Sequence, residues 1–290
     1  LYVMHYAGSY QQANSGDAIR VGQVSDRSGE SSWACTLLTT LADEESSLYG
    51  RNFDWEYSPV LLLFTDPPNG YASVSVVDLA YLAFSDYELA KLHELPLEER
   101  TPLLDTPWWP FDGMNDQGLA IGMAAVPSGN MPVDPDKGTI GSLEIMREVL
   151  DSAQDVDEAV RIFEQYNIDM EGGPDLHYLI SDRSGKAALI EFYRGKMNII
   201  WNDQPWHMAT NFLCSAVEGD PEGRCWRYDA VSSRLALQTG SLLPDEAISL
   251  LDDVAQSNTQ WSVVYGLSTG EIYLAIGQGY DKVYAFQLEK

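Results

Sequence analysis

The sequence predicts an α+β protein of layered antiparallel sheets with helices packed outside them, and three observations carry that reading. Strand-like runs come in blocks joined by short turns, the pattern of hairpins. Helical segments fall between those blocks instead of alternating with single strands, so βαβ units are not indicated. No internal repeat and no linker divides residues 35–290 of a 290-residue chain, which is long enough for one large domain.

Taken in order, residues 1–34 are polar and irregular, with Gly8-Ser9, Ser15-Gly16 and Ser28-Gly29 spread through them. They read as a leader outside the core. The character changes at Ala34. Residues 35–42 are apolar and Thr-rich, Asp43-Glu44-Glu45-Ser46 turns, and 47–54 returns as a second strand. Further strands are expected at 60–65, 72–77 and 118–126. A helix follows over 142–152, where Leu143, Ile145, Met146, Val149 and Leu150 recur at helical spacing. A capping box of Asp155 and Glu158 opens the next helix, 157–165. Strands return at 176–181, 187–192, 197–201 and 207–211, with a turn at Asp182-Arg183-Ser184-Gly185. Helices at 226–238 and 245–256 precede the last strands, 261–266, 272–276 and 282–287. The stretch 93–111 stands apart. Pro96, Pro102, Pro107 and Pro110 argue against regular structure there. With Trp108, Trp109 and Phe111 it reads either as the wall of a substrate pocket or as a loop pinned to the core by its own Trp residues.

A hydrophobic content of 45% suits a packed globular chain. The 44 acidic and 17 basic residues give a formal charge of −27. A field of that sign repels nucleic acid and anionic membranes, which excludes both as partners. The plain reading is the solvated acidic surface of a salt-tolerant or exported protein, placed outside the cell in preference to the cytoplasm. A surface that recruits cationic substrates is the other reading. The longest apolar run, Val60-Leu61-Leu62-Leu63-Phe64, is far short of a membrane span. Residues 1–8 lack the basic start and apolar core of a signal peptide, which is therefore absent or already removed.

His5, His93, His177 and His207 have no metal-ligand spacing, so no metal or other cofactor is expected, and His177 reads as a satisfied core residue. No G-x-S-x-G or Walker pattern occurs, and Gly277-Gln278-Gly279 is a strand-end turn. Three cysteines make no disulfide framework. Cys214 and Cys225 could pair, which leaves Cys35 as the odd thiol. Gly223-Arg224-Cys225-Trp226 is similar to the surroundings of a papain-type nucleophile, but that chemistry needs a His downstream, and the last one is His207.

Cys35 remains, with Arg51 and Asp54 folded back beside it by the hairpin. Taken singly, a Cys near a strand start is a packing residue, and Arg51 with Asp54 a surface ion pair. The chemistry changes if Cys35 begins its own chain. A terminal α-amine has a pKa near ~7.7–8.0, so at neutral pH part of it is free base. It can take the proton of its own thiol, which removes the need for a His. A nearby guanidinium lowers a thiol pKa, and a carboxylate can hold the amine.

These residues resemble the choloylglycine hydrolase family: bile salt hydrolases, penicillin V acylases and related linear-amide C–N hydrolases. Cys35-Thr36 with Gly50-Arg51-Asn52-Phe53-Asp54 is similar to the family's opening, and Asp112-Gly113-Met114-Asn115-Asp116-Gln117-Gly118-Leu119 to a second segment. Leu176-His177-Tyr178 with Ile180-Ser181-Asp182 and Gly185-Lys186, then Thr210-Asn211, Trp226-Arg227-Tyr228 and Thr259-Gln260-Trp261, follow in the same order. The resemblance implies a four-layer αββα sandwich of the N-terminal-nucleophile type, with residues 35–290 as the hydrolase domain and 1–34 as a leader or propeptide. It implies Cys35 as nucleophile and, through its amine, as base. Arg51 tunes the thiolate, Asp54 orients the amine, Asn211 donates to the oxyanion and Arg227 completes the charged cluster. A preorganised donor such as Asn211 contributes on the order of 3 kcal/mol. Ala125 stands where bile salt hydrolases have Asn and penicillin acylases Tyr, so it offers only its backbone N–H. Trp55, Trp108, Trp109 and Phe111 would line the pocket. The implied activation is autocleavage between Ala34 and Cys35. The implied substrate is a small N-acyl compound such as an acylated amino acid, penicillin V, a bile salt or an N-acyl homoserine lactone, cleaved through an acyl-thioester. Acyl transfer on the same thioester and an uncleaved, non-catalytic binding protein are the alternatives. Relatives are often homo-oligomers.

Overall fold

Leu37 and Leu38 are neighbours in strand β2 (Thr36–Thr40), point to opposite faces, and are both fully buried. A strand apolar on both faces must be covered on both, and the fold does this with layers. The computed structural model describes residues 1–10, 34–56 and 59–289. One sheet has six strands in the order β13 (Trp206–Ala209), β2, β3 (Leu48–Asp54), β14 (Thr259–Gly266), β15 (Glu271–Ile276) and β16 (Tyr284–Gln287). The other has eight: β1 (Tyr2–Tyr6), β4 (Val60–Thr65), β5 (Ser73–Asp78), β6 (Asp112–Asn115), β7 (Leu119–Ala125), β10 (Leu176–Asp182), β11 (Ala187–Tyr193) and β12 (Lys196–Trp201).

Helices α2 (Glu144–Ser152) and α3 (Val156–Gln165) cover the eight-stranded sheet, while α4 (Trp226–Leu237) and α5 (Pro244–Asp253) cover the six-stranded one. Leu37 joins the main core, which includes the space between the sheets. Leu38 joins Leu48, Val231, Leu235, Leu251 and Val264 in a second core beneath α4 and α5. The expected αββα layering is therefore the observed one. The hairpin of β2 and β3 pairs Leu37 with Arg51 and Thr36 with Asn52. The expected strands and helices are all present, their ends shifted by one to a few residues. Asp155 caps α3 by accepting the Glu158 N–H (2.9 Å), but Glu158 bonds Gln154 instead of closing the box.

Several elements differ from expectation. The polar start of the chain is not all irregular. Tyr2–Tyr6 form β1, which runs parallel to β4 with Tyr2 opposite Leu61 and Tyr6 opposite Thr65. Its residues alternate between half-buried and exposed, as an edge strand does. Tyr10 is buried, and its hydroxyl donates to Asp151 (2.7 Å). Residues 11–33, the rest of the expected leader, lie outside the described residues. The Pro-rich stretch also holds regular turns. A short helix α1 (Asp86–Ala90), capped by Ser85 and Glu88, leads to 3-10 turns at Leu97–Glu99 and Thr101–Trp108. Pro102 sits in the opening turn, where its missing N–H has no helical partner to lose. Strands β6, β8 (Gly138–Gly141) and β9 (Tyr166–Asp169) were not expected from sequence, and β8 and β9 form a separate parallel pair.

The sheets approach closely where Gly122 of β7 faces β2 and β3. A Cβ there would lie 2.5 Å from the Tyr49 hydroxyl, which donates to the Leu179 carbonyl across the sandwich (3.1 Å). Gly122→Ala is therefore expected to destabilise the protein by about 1–3 kcal/mol through overpacking. Adding Tyr49→Phe, which removes the clashing oxygen, is expected to recover part of the loss. Urea unfolding of the two single variants and the double variant checks this.

Candidate active site

Cys35 immediately precedes β2, so its position is set by the pairing of β2 with β3, which brings Arg51 and Asp54 to the same end of the sheet. Both are fully buried and are not a surface ion pair. Arg51 Nη2 reaches the Cys35 Sγ at 3.5 Å. Arg51 Nη1 donates to the Phe111 carbonyl (2.7 Å) and lies 3.4 Å from the carboxylate of Asp112. Asp112 also accepts from Trp261 Nε1 (2.9 Å) and the Tyr265 hydroxyl (2.5 Å). Arg51 is thus held across the gap between the sheets, with the rings of Phe53 and Trp261 beside its guanidinium.

Asp54 accepts from Thr259 Oγ1 (2.5 Å) through one carboxylate oxygen, and the other, Oδ2, is buried without a hydrogen-bond partner. Burial pushes its pKa up to about 6, although Thr259, Arg227 and Arg51 pull it down. The Cys35 thiol is likewise pushed up, first by burial and also by the Asp54 carboxylate, while Arg51 opposes. With the chain continuous through Ala34, burial outweighs the nearby guanidinium that would by itself lower the thiol.

Arg227 comes from the first turn of α4. Its Nη1 donates to the Ala34 carbonyl (2.7 Å), the Cys35 carbonyl and Thr36 Oγ1 (3.0 Å), and its Nη2 to Asn211 Oδ1 (3.1 Å). Asn211 Nδ2 donates to the Ala125 carbonyl (2.8 Å) and carries a second hydrogen. The Val126 N–H bonds the Asp175 carbonyl (2.8 Å), so by antiparallel alternation Ala125 and Leu176 are a non-bonded pair. The N–H and C=O of Ala125 therefore turn away from β10, toward the side reached by Asn211. Glu191 secures the turn after Asn211 by accepting the N–H groups of Cys214 (2.8 Å) and Ser215 (2.7 Å). His177 bonds Glu191 through Nδ1 (3.2 Å), but its buried Nε2 has no partner, so it is only half satisfied. Cys214 and Cys225 are both free thiols.

Cys35 opens onto a cavity of about 380 Å³. Trp55, Trp108, Trp109, Phe111 and Ala125 all line it, as does the unforeseen group Phe53, Tyr81, Met123, Ile140 and Leu143. All five residues expected at the chemical centre lie around the Ala34–Cys35 peptide. Asp112 and Thr259, which hold Arg51 and Asp54, were missed as site residues although both fall in the motifs that carried the family resemblance.

Two sheets thus lie between helix layers, with a cysteine leading into an inner strand beside a cavity. The chain belongs to the choloylglycine hydrolase family of linear amide C–N hydrolases, whose model matches residues 35–211. Among solved structures it is similar to a conjugated bile acid hydrolase from Clostridium perfringens, at 18% identity and a TM-score of 0.62, covering 88% of this chain and 92% of that one. It is also similar to penicillin V acylase from Agrobacterium tumefaciens, at 19% identity and a TM-score of 0.63, covering 88% and 86%. No curated protein sequence matches it.

The raised pKa of Asp54 has a definite sign. Its stabilising contribution is complete below the ordinary carboxylate value near ~3.9 and is lost as the pH rises through about 6. In a Cys35→Ala chain, which cannot attack Ala34, stability relative to the Cys35→Ala/Asp54→Asn chain is expected to fall by on the order of 3 kcal/mol between pH 4 and pH 7. Urea titrations at a series of pH values measure it, and a pH-independent difference would show an ordinary carboxylate.

Proposed function

We propose that the protein is a cysteine N-terminal-nucleophile amidase, activated by its own cut between Ala34 and Cys35. The observation that carries this reading is the arrangement around that peptide bond. Arg227 donates to the Ala34 carbonyl, Cys35 supplies the adjacent thiol, and Asp54 keeps a buried oxygen unpartnered nearby. In the activating step Sγ attacks the Ala34 carbonyl carbon and the C–N bond breaks, which leaves Ala34 as a thioester and frees the Cys35 amine, which takes up the thiol proton. Arg227 stabilises the oxyanion. Water then hydrolyses the thioester.

The freed amine meets the unpartnered Oδ2 of Asp54, which offsets the cost of burying that carboxylate. In turnover the amine accepts the Cys35 thiol proton, and the thiolate attacks the substrate carbonyl. The second N–H of Asn211 and the N–H of Ala125 face the oxyanion. The amine then returns its proton to the leaving nitrogen, and water releases the acyl group from sulfur. The aromatic side of the cavity suits an apolar or aromatic acyl group, and the leaving amine is small and polar.

The leader stays with the hydrolase domain after the cut. Strand β1 is hydrogen-bonded along β4, and Tyr10 is buried against Asp151 and Trp108. Denaturing mass spectrometry of active enzyme is expected to find two chains, the second beginning at Cys35, while native spectra give their combined mass. Cys35→Ala is expected to give one chain without amidase activity, and Arg227→Gln to slow the cut by roughly a hundredfold. Amidase activity in Cys35→Ala, or in protein whose Ala34–Cys35 bond is intact, would sink the assignment.

A further inference from the structure

The charge of the cavity goes beyond its shape. Among the described residues that line it, none is Lys, Arg or His. Three are carboxylates: Glu144 at the start of α2, Asp169 at the end of β9, and Glu171 two residues on. Asp169 and Glu171 are exposed and Glu144 half-buried, so they stand where an entering ligand meets them. Acids also stand behind Tyr81 on the aromatic side. Tyr81 lines the cavity, and its hydroxyl is pushed above its ordinary range first by burial and then by the carboxylates of Asp78 and Glu56. The two guanidiniums near the thiol, Arg51 and Arg227, are buried and committed to Phe111, Asp112, Ala34, Cys35, Thr36 and Asn211. The whole chain adds a net charge of −27.

A cleft lined by one sign of charge concentrates ligands of the other sign and excludes its own. Aromatic walls do not oppose this, because the faces of Trp and Tyr attract cations. A substrate whose amine half ends in a carboxylate or sulfonate would bring that anion beside three like charges with no described cation to receive it. An amine half with a second protonated nitrogen would find partners there.

We propose that this cavity selects amides whose leaving amine carries a positive charge, such as mono-N-acylated diamines, polyamines or guanidinium-bearing amines. This specificity rests on the amidase reading. The acyl group occupies the aromatic side, and the distal cation meets Glu144, Asp169 and Glu171. The acidic surface and the acidic cavity then serve one end, recruitment of a cationic substrate.

The test holds the acyl group constant. Phenylacetyl amides of diaminobutane, butylamine and aminobutyrate are matched in length and differ in charge. With processed enzyme at low salt, kcat/KM is expected to be highest for the diaminobutane amide and at least about tenfold lower for the aminobutyrate amide, a gap that narrows at high salt. Glu144→Gln/Glu171→Gln is expected to narrow the same gap. Glutamine at position 144 can still accept the Gly141 N–H that Glu144 accepts now. Equal rates for the three, a preference for the anion, or a gap that survives unchanged in the double variant would overturn the proposal. Calorimetric binding to the Cys35→Ala chain needs no hydrolysis. Tightest binding of the diaminobutane amide without turnover by wild type would uphold the charge preference and remove the amidase reading alone. Absent or charge-independent binding would overturn the preference itself.

Discussion

The guanidinium of Arg51 lies at zero exposure between the two sheets, and most of the centre is arranged around its need for partners. A buried charge left unpaired costs several kcal/mol, so the pair it forms with Asp112 has to be made whenever the sandwich closes. Arg51 belongs to the six-stranded sheet and Asp112 to the eight-stranded one. Closing the pair therefore sets how the sheets meet. Register is under the same control, since a slip of one residue would turn Arg51 toward the helices. Trp261 and Tyr265, both on β14, complete the hydrogen bonding of Asp112 and extend the constraint to a third strand. Cys35 lies beside this pair, and its thiol is positioned by the interaction that joins the layers.

A second cation acts locally. Arg227 gathers three chain segments, bonding the backbone on both sides of the 34–35 peptide and the side chain of Asn211. Asn211 is fastened in turn to Ala125, and Glu191 holds the turn that follows it. Contacts of this kind hold the side chains of Arg227 and Asn211 in place, and in the proposed reaction such preorganised donors are the condition for strong electrostatic stabilisation. The thiol itself is quiet in this setting, because burial opposes its ionisation and no histidine is among the described residues that line its cavity.

The local elements were legible because they rest on short-range signals. The Asp43–Ser46 turn after the apolar, Thr-rich run 35–42 specifies the hairpin that brings Arg51 and Asp54 to Cys35, and the periodic Leu, Ile, Met and Val of α2 specify a helix. Strand β1 was not legible, since five alternating residues in a polar stretch carry no turn signal and become a strand only by pairing with β4. Strand β6 was hidden in the same way. Its Asp-Gly-Met-Asn composition is poor in strand formers, and it is held by β5 and β7 on either side. At the site, motif order picked out the residues that gather around the Ala34–Cys35 peptide, but not their supports. The partners of Arg51 and Asp54 lie 61 and 205 positions away in sequence (Asp112 and Thr259), across contacts that spacing does not encode. The cavity charge was equally invisible, because Glu144 and Glu171 are unremarkable acids in an acidic chain until the fold turns them toward one opening.

Strand β1 has one more consequence. Strand β4 is apolar from Val60 to Phe64 and would be the border of its sheet if residues 2–6 were absent, with a row of backbone N–H and C=O groups open to any extended chain. The first strand occupies that row. It becomes the edge in its turn, with residues alternating between half-buried and exposed and His5 stacked on Phe64. The N-terminal segment thus covers the apolar edge of the sheet, and a chain that lacks residues 1–10 would leave the backbone of Val60–Thr65 open to pairing.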